Sequence, residues 1–283
     1  MANELYHTHI STSHRWLDLD FREVFHYRDL IWLFTKRSFT VSYKQTVLGP
    51  AWLFLNPLLS SLIYTVVFGQ IAGLSTDGVP RILFYLCGTA IWGFFSSSLN
   101  SNSGTFLNNA GLFGKVYFPR LTVPISNMLT AAIRFGIQML LVLIFLLYSV
   151  LTGAVTPHYW AWLLLPLILL HLGLLGMGLG MIVSSLTTKY RDLTVLVGFG
   201  MTLWMYGTPV VYPLSQLSGN PLLEKLLLWN PVTMPIELFR YAFLGVGTVC
   251  PVYYLWSVAF TLLVTFLGLL IFKRVERTFI DTV

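Results

Sequence analysis

Runs of about 20 or more residues with little or no charge recur along the chain, separated by short segments in which Lys, Arg, Asp and Glu collect. A helix rises about 1.5 Å per residue, so roughly 20 apolar residues match the ~30 Å hydrocarbon thickness of a bilayer. The pattern predicts six transmembrane helices, at about 51–72, 82–104, 121–151, 159–186, 193–212 and 251–272. Gly49-Pro50 breaks the chain before the first run and Thr156-Pro157 before the fourth; Tyr212-Pro213 closes the fifth, and Lys273-Arg274 follows the last. The expected fold class is an all-α integral membrane protein.

Two segments carry a different pattern. In 22–44, Val24, Tyr27, Ile31, Phe34, Ser38 and Val41 recur at spacings of three and four, with Arg22, Asp29 and Lys36 on the other face. That is an amphipathic helix of the kind that lies at a membrane surface. In 214–247, Pro221 and Pro235 each stand where a short helix can begin, and Asn230-Pro231 separates two apolar pieces, Leu222–Trp229 and Ile236–Leu244. Both pieces are too short to span, so re-entrant helices are expected, buried in protein or lining a wet cavity. The chain thus divides into a polar extension at 1–21, an amphipathic helix with its link at 22–50, a six-span domain at 51–272 and a tail at 273–283. A loop at 105–120 and the re-entrant region 214–247 lie within the domain.

Composition agrees with lipid as the solvent. The 283 residues are 56% hydrophobic and only 10% charged, and mean hydropathy is +0.74; a soluble domain is about one quarter charged. The net charge of +6 reads as topology before it reads as nucleic-acid binding. Arg15, Arg22, Arg28, Lys36, Arg37 and Lys44 precede the first span, Lys115 and Arg120 lie in the 105–120 loop, Lys189 and Arg191 in the 187–192 loop, and Lys273, Arg274 and Arg277 in the tail. Arg81, Lys225 and Arg240 fall on the opposite side. This bias places both termini in the cytoplasm. Cys87 and Cys250 lie far apart in or beside apolar runs and imply neither a disulfide framework nor a metal site. The N-terminus lacks the basic-then-apolar layout of a cleaved signal.

Several chemistries are missing. Gly111-Leu112-Phe113-Gly114-Lys115-Val116 has the wrong spacing for a phosphate-cradling loop, and Val116 has no hydroxyl for magnesium. All acidic residues fall outside the expected spans, so no buried carboxylate is expected to relay protons or sodium. His171, the one histidine well inside a span, reads as a packed, hydrogen-bonded residue. No catalytic or metal-ligand spacing is present. Arg134 is the one formal charge in a span. Two accounts stay open for it: a structural residue that snorkels or pairs with a carbonyl, or a contact for an anionic substrate such as a pyrophosphate. Aromatic residues make up 16% of the chain. Interface belts explain most of them. A subset, Trp52, Phe54, Tyr64 and Phe68 in the first span, Trp92 in the second, and Trp204, Tyr206 and Tyr212 in the fifth, could instead line a path on which sugar rings stack. Asn56, Ser60, Ser61, Gln70, Ser96, Ser97, Ser98, Asn100 and Asn102 share the first two spans, so at least one face there packs on protein or faces water.

Particular residues carry a family resemblance. Tyr43-Lys44-Gln45-Thr46-Val47-Leu48-Gly49-Pro50-Ala51-Trp52, followed by Leu55-Asn56-Pro57, resembles the entry to the first span of ABC-2 type permeases that export polysaccharides. Tyr117-Phe118-Pro119-Arg120 is similar to their first cytoplasmic loop, and Lys189-Tyr190-Arg191-Asp192-Leu193 to the loop before the fifth span. Pro209, Tyr212-Pro213 and Asn230-Pro231 are similar to the family's outer region. The resemblance covers about 22–272 and leaves the N-terminal extension without a role. It implies a homodimer docked on two copies of a separate ATPase, which would hold ATP and magnesium, in a bacterial cytoplasmic membrane. It also implies a channel between the two copies for a polysaccharide on undecaprenyl diphosphate, such as an O-antigen, a capsule or a teichoic acid. ATPase motion would enter through the amphipathic helix and the 105–120 loop, by way of Lys36, Arg37, Tyr43, Lys44, Asn108, Lys115, Tyr117, Phe118 and Arg120. An ABC-2 exporter of a small drug or lipid is the alternative. An integral membrane transferase is disfavoured, because Asp192, Glu224 and Glu237 form no arranged pair.

Overall fold

A computed structural model describes residues 21–44, 46–190, 192–217 and 219–279. Nearly all of the polar extension, together with Gln45, Arg191 and the last four residues, lies outside the described set. The described residues are helical, with no strand among them. The α-helices are α1 (Phe21–His26), α2 (Arg28–Tyr43), α3 (Trp52–Tyr64), α4 (Arg81–Ser103), α5 (Thr105–Phe113), α6 (Thr122–Leu151), α7 (Leu165–Thr187), α8 (Leu193–Tyr206), α9 (Pro221–Leu228), α10 (Thr233–Leu244) and α11 (Pro251–Phe279).

Five helical stretches among the described residues are long and apolar enough to cross a membrane: Gly49–Ile71, Arg81–Ser103, Thr122–Leu151, Tyr159–Thr187 and Pro251–Glu276. They match the first, second, third, fourth and sixth expected spans. The first opens on a 3-10 turn at Gly49–Ala51, where Gly49 has φ of 51°, and closes as a wide π-helix over Thr65–Ile71.

The fifth expected span differs. Only its first 14 residues form a helix, α8, about 21 Å long and short of a bilayer's core. Gly207-Thr208-Pro209 stops it. Pro209 has no backbone N–H to continue the ladder and disfavours helical geometry at the residue before it. Residues 207–213 continue as non-helical chain.

Most of α4 is buried, and α3, α6, α7, α8 and α10 pack around it. Glycines on α7 allow the closest approach. A Cβ at Gly180 would stand 2.8 Å from the Leu99 carbonyl oxygen, and one at Gly176 would stand 2.9 Å from Ser98 Cβ. The other side of α7 meets α11 in the same way, with a Cβ at Gly178 placed 2.8 Å from Thr265 Cα. Lipid gives no hydrophobic drive for helices to associate, so such small-residue contacts and interhelical hydrogen bonds hold the bundle together. Ser98 Oγ donates to the Gly173 carbonyl at 3.3 Å, and Asn127 Nδ2 donates to Asn102 Oδ1 at 3.2 Å. The polar residues of the second span therefore divide: Ser98 and Asn102 are buried against protein, while Asn100 is exposed.

The short helices of the 214–247 region form as expected but bury unequally. On α9 only Leu227 is buried, whereas eleven of the twelve residues of α10 are. Gly245 ends α10 at φ 69°, and a Cβ there would collide with the Thr156 carbonyl oxygen, so both conformation and space call for glycine. His171 sits between α7 and α11, its Nε2 within 3.0 Å of Thr261 Oγ1 and 3.1 Å of Ser257 Oγ, which is a packed, hydrogen-bonded setting.

Candidate transport path and coupling surface

Six of the eight aromatic residues singled out in the sequence meet where α3, α4 and α8 converge. Tyr64 lies 5.6 Å from Phe68, ring to ring, and Phe68 lies 6.5 Å from Tyr206. Tyr212 donates its hydroxyl to the Tyr206 carbonyl at 3.0 Å. Deeper in, Trp204 lies 5.2 Å from Phe95 and 6.4 Å from Trp92. Trp92 is buried, Trp204 and Tyr212 are half-buried, and Tyr206 is exposed. Phe54 is exposed and outside this cluster. Most of α8 and about half of α3 is exposed, including Leu59, Ile63, Val195 and Phe199.

Asn230 fixes the position of Trp204. Its Oδ1 accepts from Trp204 Nε1 at 3.1 Å and from the Val232 amide at 3.1 Å, while its Nδ2 donates to the Gly207 carbonyl at 2.9 Å. The Asn-Pro break before α10 is therefore also the anchor of the α8 terminus.

Trp52 occupies a separate place. It borders a cavity of about 210 Å³ together with Tyr43, Asn56, Arg134 and Gln138. Arg134 is half-buried and faces α2: it donates to Ser42 Oγ at 2.7 Å, and its guanidinium lies 6.0 Å from the Tyr43 ring centre. Both hydrogen-bonding partners and cavity walls set it apart from the Trp204–Tyr206 cluster.

The residues expected to meet an ATPase fall into two groups. Lys36, Arg37, Lys44, Asn108, Lys115 and Tyr117 are exposed, and Tyr43 is half-buried. The Glu23 carboxylate raises the Tyr117 phenol above its ordinary value, with burial, Tyr27 and Glu276 adding to the effect. Phe118 and Arg120 instead turn inward. Phe118 packs 5.6 Å from Phe34 and 5.8 Å from Phe113, in a small core shared by α1, α2, α5, α7 and α11. Arg120 Nε lies 3.8 Å from Glu276 Oε1, its guanidinium also donates to the Glu276 carbonyl, and it covers the Phe113 ring at 5.3 Å. These two side chains are placed to tie the loop to the amphipathic helix and the last span. Both are buried within this chain, unlike the exposed members of the expected coupling set. The amphipathic stripe holds for Val24, Tyr27, Ile31, Phe34 and Ser38, but Val41 is 65% exposed and Thr35 takes up the buried face.

One arrangement escaped the sequence reading. Glu237 and Arg240 on α10 are 2% and 1% exposed and pair at 3.0 Å. Arg240 also donates to the Val210 carbonyl at 2.6 Å and the Tyr212 carbonyl at 3.3 Å, and lies 4.1 Å over the Phe84 ring. Glu237 Oε2 accepts from the Thr248 amide at 2.9 Å. A buried carboxylate therefore exists, contrary to expectation, but it is neutralised and bonded and so is built as a clamp. Arg240 holds the non-helical 210–212 strap against α4. The signal was present as an acid and a base three residues apart in an otherwise apolar helix. Among the described residues, no group of His, Cys, Asp and Glu could hold a metal ion.

Comparison with known proteins places this geometry. Residues 29–244 match the family described as ABC-2 type transporter. The chain is 28% identical over 254 residues to an O-antigen export system permease protein RfbA of Klebsiella pneumoniae, covering 89% of this chain and 94% of that protein. It is 27% identical over 224 residues to an RfbA of Myxococcus xanthus, covering 78% and 83%. It is 25% identical over 246 residues to the polysialic acid transport protein KpsM of Escherichia coli, covering 87% and 93%. With membrane-length helices and a family match over most of its length, the chain belongs to the ABC-2 type transporter family.

Proposed function

We infer that this chain is the permease subunit of an ATP-driven exporter of polysaccharide. The observation that carries the reading is the aromatic cluster of Tyr64, Phe68, Trp92, Trp204 and Tyr206 beside the exposed faces of α3 and α8. The printed functions of the O-antigen and polysialic acid relatives support the same substrate class. Sugars present flat C–H faces to aromatic rings while their hydroxyls require polar neighbours, and α3 and α4 also carry Asn56, Ser96 and Ser97. The glycan is carried on undecaprenyl diphosphate.

The remaining assembly follows from the same reading. Two copies face each other through α3 and α8, whose apolar surface one copy leaves uncovered. Two copies of a separate ATPase, holding ATP and magnesium, dock on the cytoplasmic side against the exposed residues Lys36, Asn108, Lys115 and Tyr117. The basic bias places both termini in the cytoplasm of a bacterial inner membrane. α8 with the 207–213 strap completes the fifth crossing. Movement of the ATPase pushes α5 and the loop after it, and the core around Phe118 passes that push to α1, α2 and α11.

The test is export in a strain lacking the chromosomal copy, with surface glycan quantified at matched protein levels. Phe68→Ala and Tyr206→Ala are expected to reduce export severalfold. Normal export in both, or export of a small amphiphile in place of glycan, defeats the reading.

A further inference from the structure

A second cavity, of about 420 Å³, adjoins the one beneath Trp52, and Arg134 borders both. Arg37, Ser38 and Ser42 of α2 form one wall, and Asn127 and Thr130 of α6 the other. Two cations and no carboxylate are among the described residues lining the pair. Arg134 spends one donor on Ser42, yet its Nε is buried without a hydrogen-bond partner. Such a guanidinium has charge and directional donors left over, in the fork that suits phosphate oxygens.

Height along α6 gives the level of this site in the membrane. Arg134 stands 17 residues before Leu151, about 26 Å along the helix axis. If the outer end of α6 meets the outer boundary of a ~30 Å core, Arg134 sits at the inner boundary, where inner-leaflet phosphates lie. The two cavities also differ in character. Trp52, Leu53, Phe94 and Phe135 give the upper one apolar walls beside Asn56, Ser97 and Gln138, whereas the lower one is mostly hydroxyls, amides and arginines. A free anion would leave the apolar walls unused; a headgroup with its acyl chains uses both.

We propose that the adjoining cavities between α2, α3 and α6 bind the phosphodiester headgroup of an anionic phospholipid from the inner leaflet. Arg134 holds the phosphate from the interior and Arg37 from the cytoplasmic rim. The acyl chains rise past Trp52 and Leu53. The bound lipid braces the C-terminal end of α2 against α6. This assignment rests on the cytoplasmic placement of α2 and not on the identity of the exported molecule.

The full chain, purified and delipidated in a non-ionic detergent, is titrated with phosphatidylglycerol and separately with phosphatidylcholine and read by native mass spectrometry. Phosphatidylglycerol is expected to bind about tenfold more tightly, and Arg134→Gln to lower that affinity about tenfold, the loss of one charge-assisted bond. Arg134→Lys should lose less. Arg37→Gln, on the exposed face of α2, should weaken binding in the same direction and gives the answer should Arg134→Gln fail to fold. Equal binding of the two lipids, or unchanged phosphatidylglycerol binding in both glutamine variants, overturns the proposal. Displacement of the lipid by millimolar inorganic diphosphate also overturns it, because it identifies a site for a substrate diphosphate or a soluble anion. Glycan export, measured separately, stands or falls independently of these readouts.

Discussion

Replacing Glu237 with Gln keeps the shape of the side chain and removes its charge. The Arg240 guanidinium then remains 1% exposed, with two carbonyls and an aromatic face around it but no counter-ion. Removing one partner of a buried pair costs about 3–5 kcal/mol. The Gln oxygen can accept from Arg240 or from the Thr248 amide but cannot serve both at full strength, which sets the cost toward the upper part of that range. Arg240→Met should be as severe, because it leaves a buried carboxylate and strips the donors from the Val210 and Tyr212 carbonyls. The double variant Glu237→Gln/Arg240→Met removes both charges and should recover part of the loss, but not the part due to those carbonyls. Thermal unfolding of the purified chain in detergent reads the series, and a drop on the order of 10 °C is expected for Glu237→Gln. A drop below about 2 °C would refute the clamp. So would losses in the two single variants that simply add in the double one, since coupled partners must deviate from additivity.

Three further outcomes follow from the packing. Gly180→Ala drives a methyl into the Leu99 carbonyl and should cost about 1–3 kcal/mol, whereas Gly136→Ala on the open side of α6 has nothing within 4 Å and should be neutral or slightly stabilising; thermal unfolding of the pair separates them, and equal midpoints would count against the close α4–α7 contact. Phe118→Ala should lower stability by about 3–5 kcal/mol, while Tyr117→Ala, at a side chain 85% exposed, should leave the unfolding midpoint unchanged and lower the ATPase activity of the docked partner; the reverse pattern would exchange their roles. Asn230→Ala breaks the bonds to Trp204 Nε1, the Gly207 carbonyl and the Val232 amide; it should shift Trp fluorescence and destabilise by about 2–3 kcal/mol, and an unchanged spectrum would argue against Asn230 as the anchor of α8.

Charge-free length was enough to locate five crossings to within a few residues, because the bilayer imposes one length on every span. It overran the helix at 193–212, where hydropathy registers apolar residues but not the missing donor of Pro209. Rotation about the helix axis was the harder problem. On α8 and the first half of α4 nearly every position is apolar, so no stripe marks which face meets a neighbour. The pairing of Trp204 with Phe95 and Trp92 thus depends on tertiary contacts that periodicity cannot report. The amphipathic stripe of α2 was legible for the opposite reason, since its faces differ in polarity. The inward turn of Phe118 and Arg120 was not, because a four-residue loop motif has no periodicity to read. Glu237 and Arg240 fall in the short helix expected at Ile236–Leu244, but their pairing was overlooked because spacing alone does not show that α10 is buried on nearly every side.

The enclosure of α4 bears on how the protein is made. Its second half carries Ser96, Ser97, Ser98, Asn100, Asn102 and Ser103, a costly set to leave facing acyl chains. Ser98 reaches an acceptor on α7, and Asn102 receives a bond from α6. Both helices leave the translocation machinery after α4. A newly inserted α4 is therefore an unstable intermediate, held at the machinery or the interface until α6 and the glycine face of α7 arrive. Substitutions at Gly176 or Gly180 should then act on biogenesis as well as on the finished fold, lowering the yield of inserted protein and exposing α4 to quality-control proteolysis.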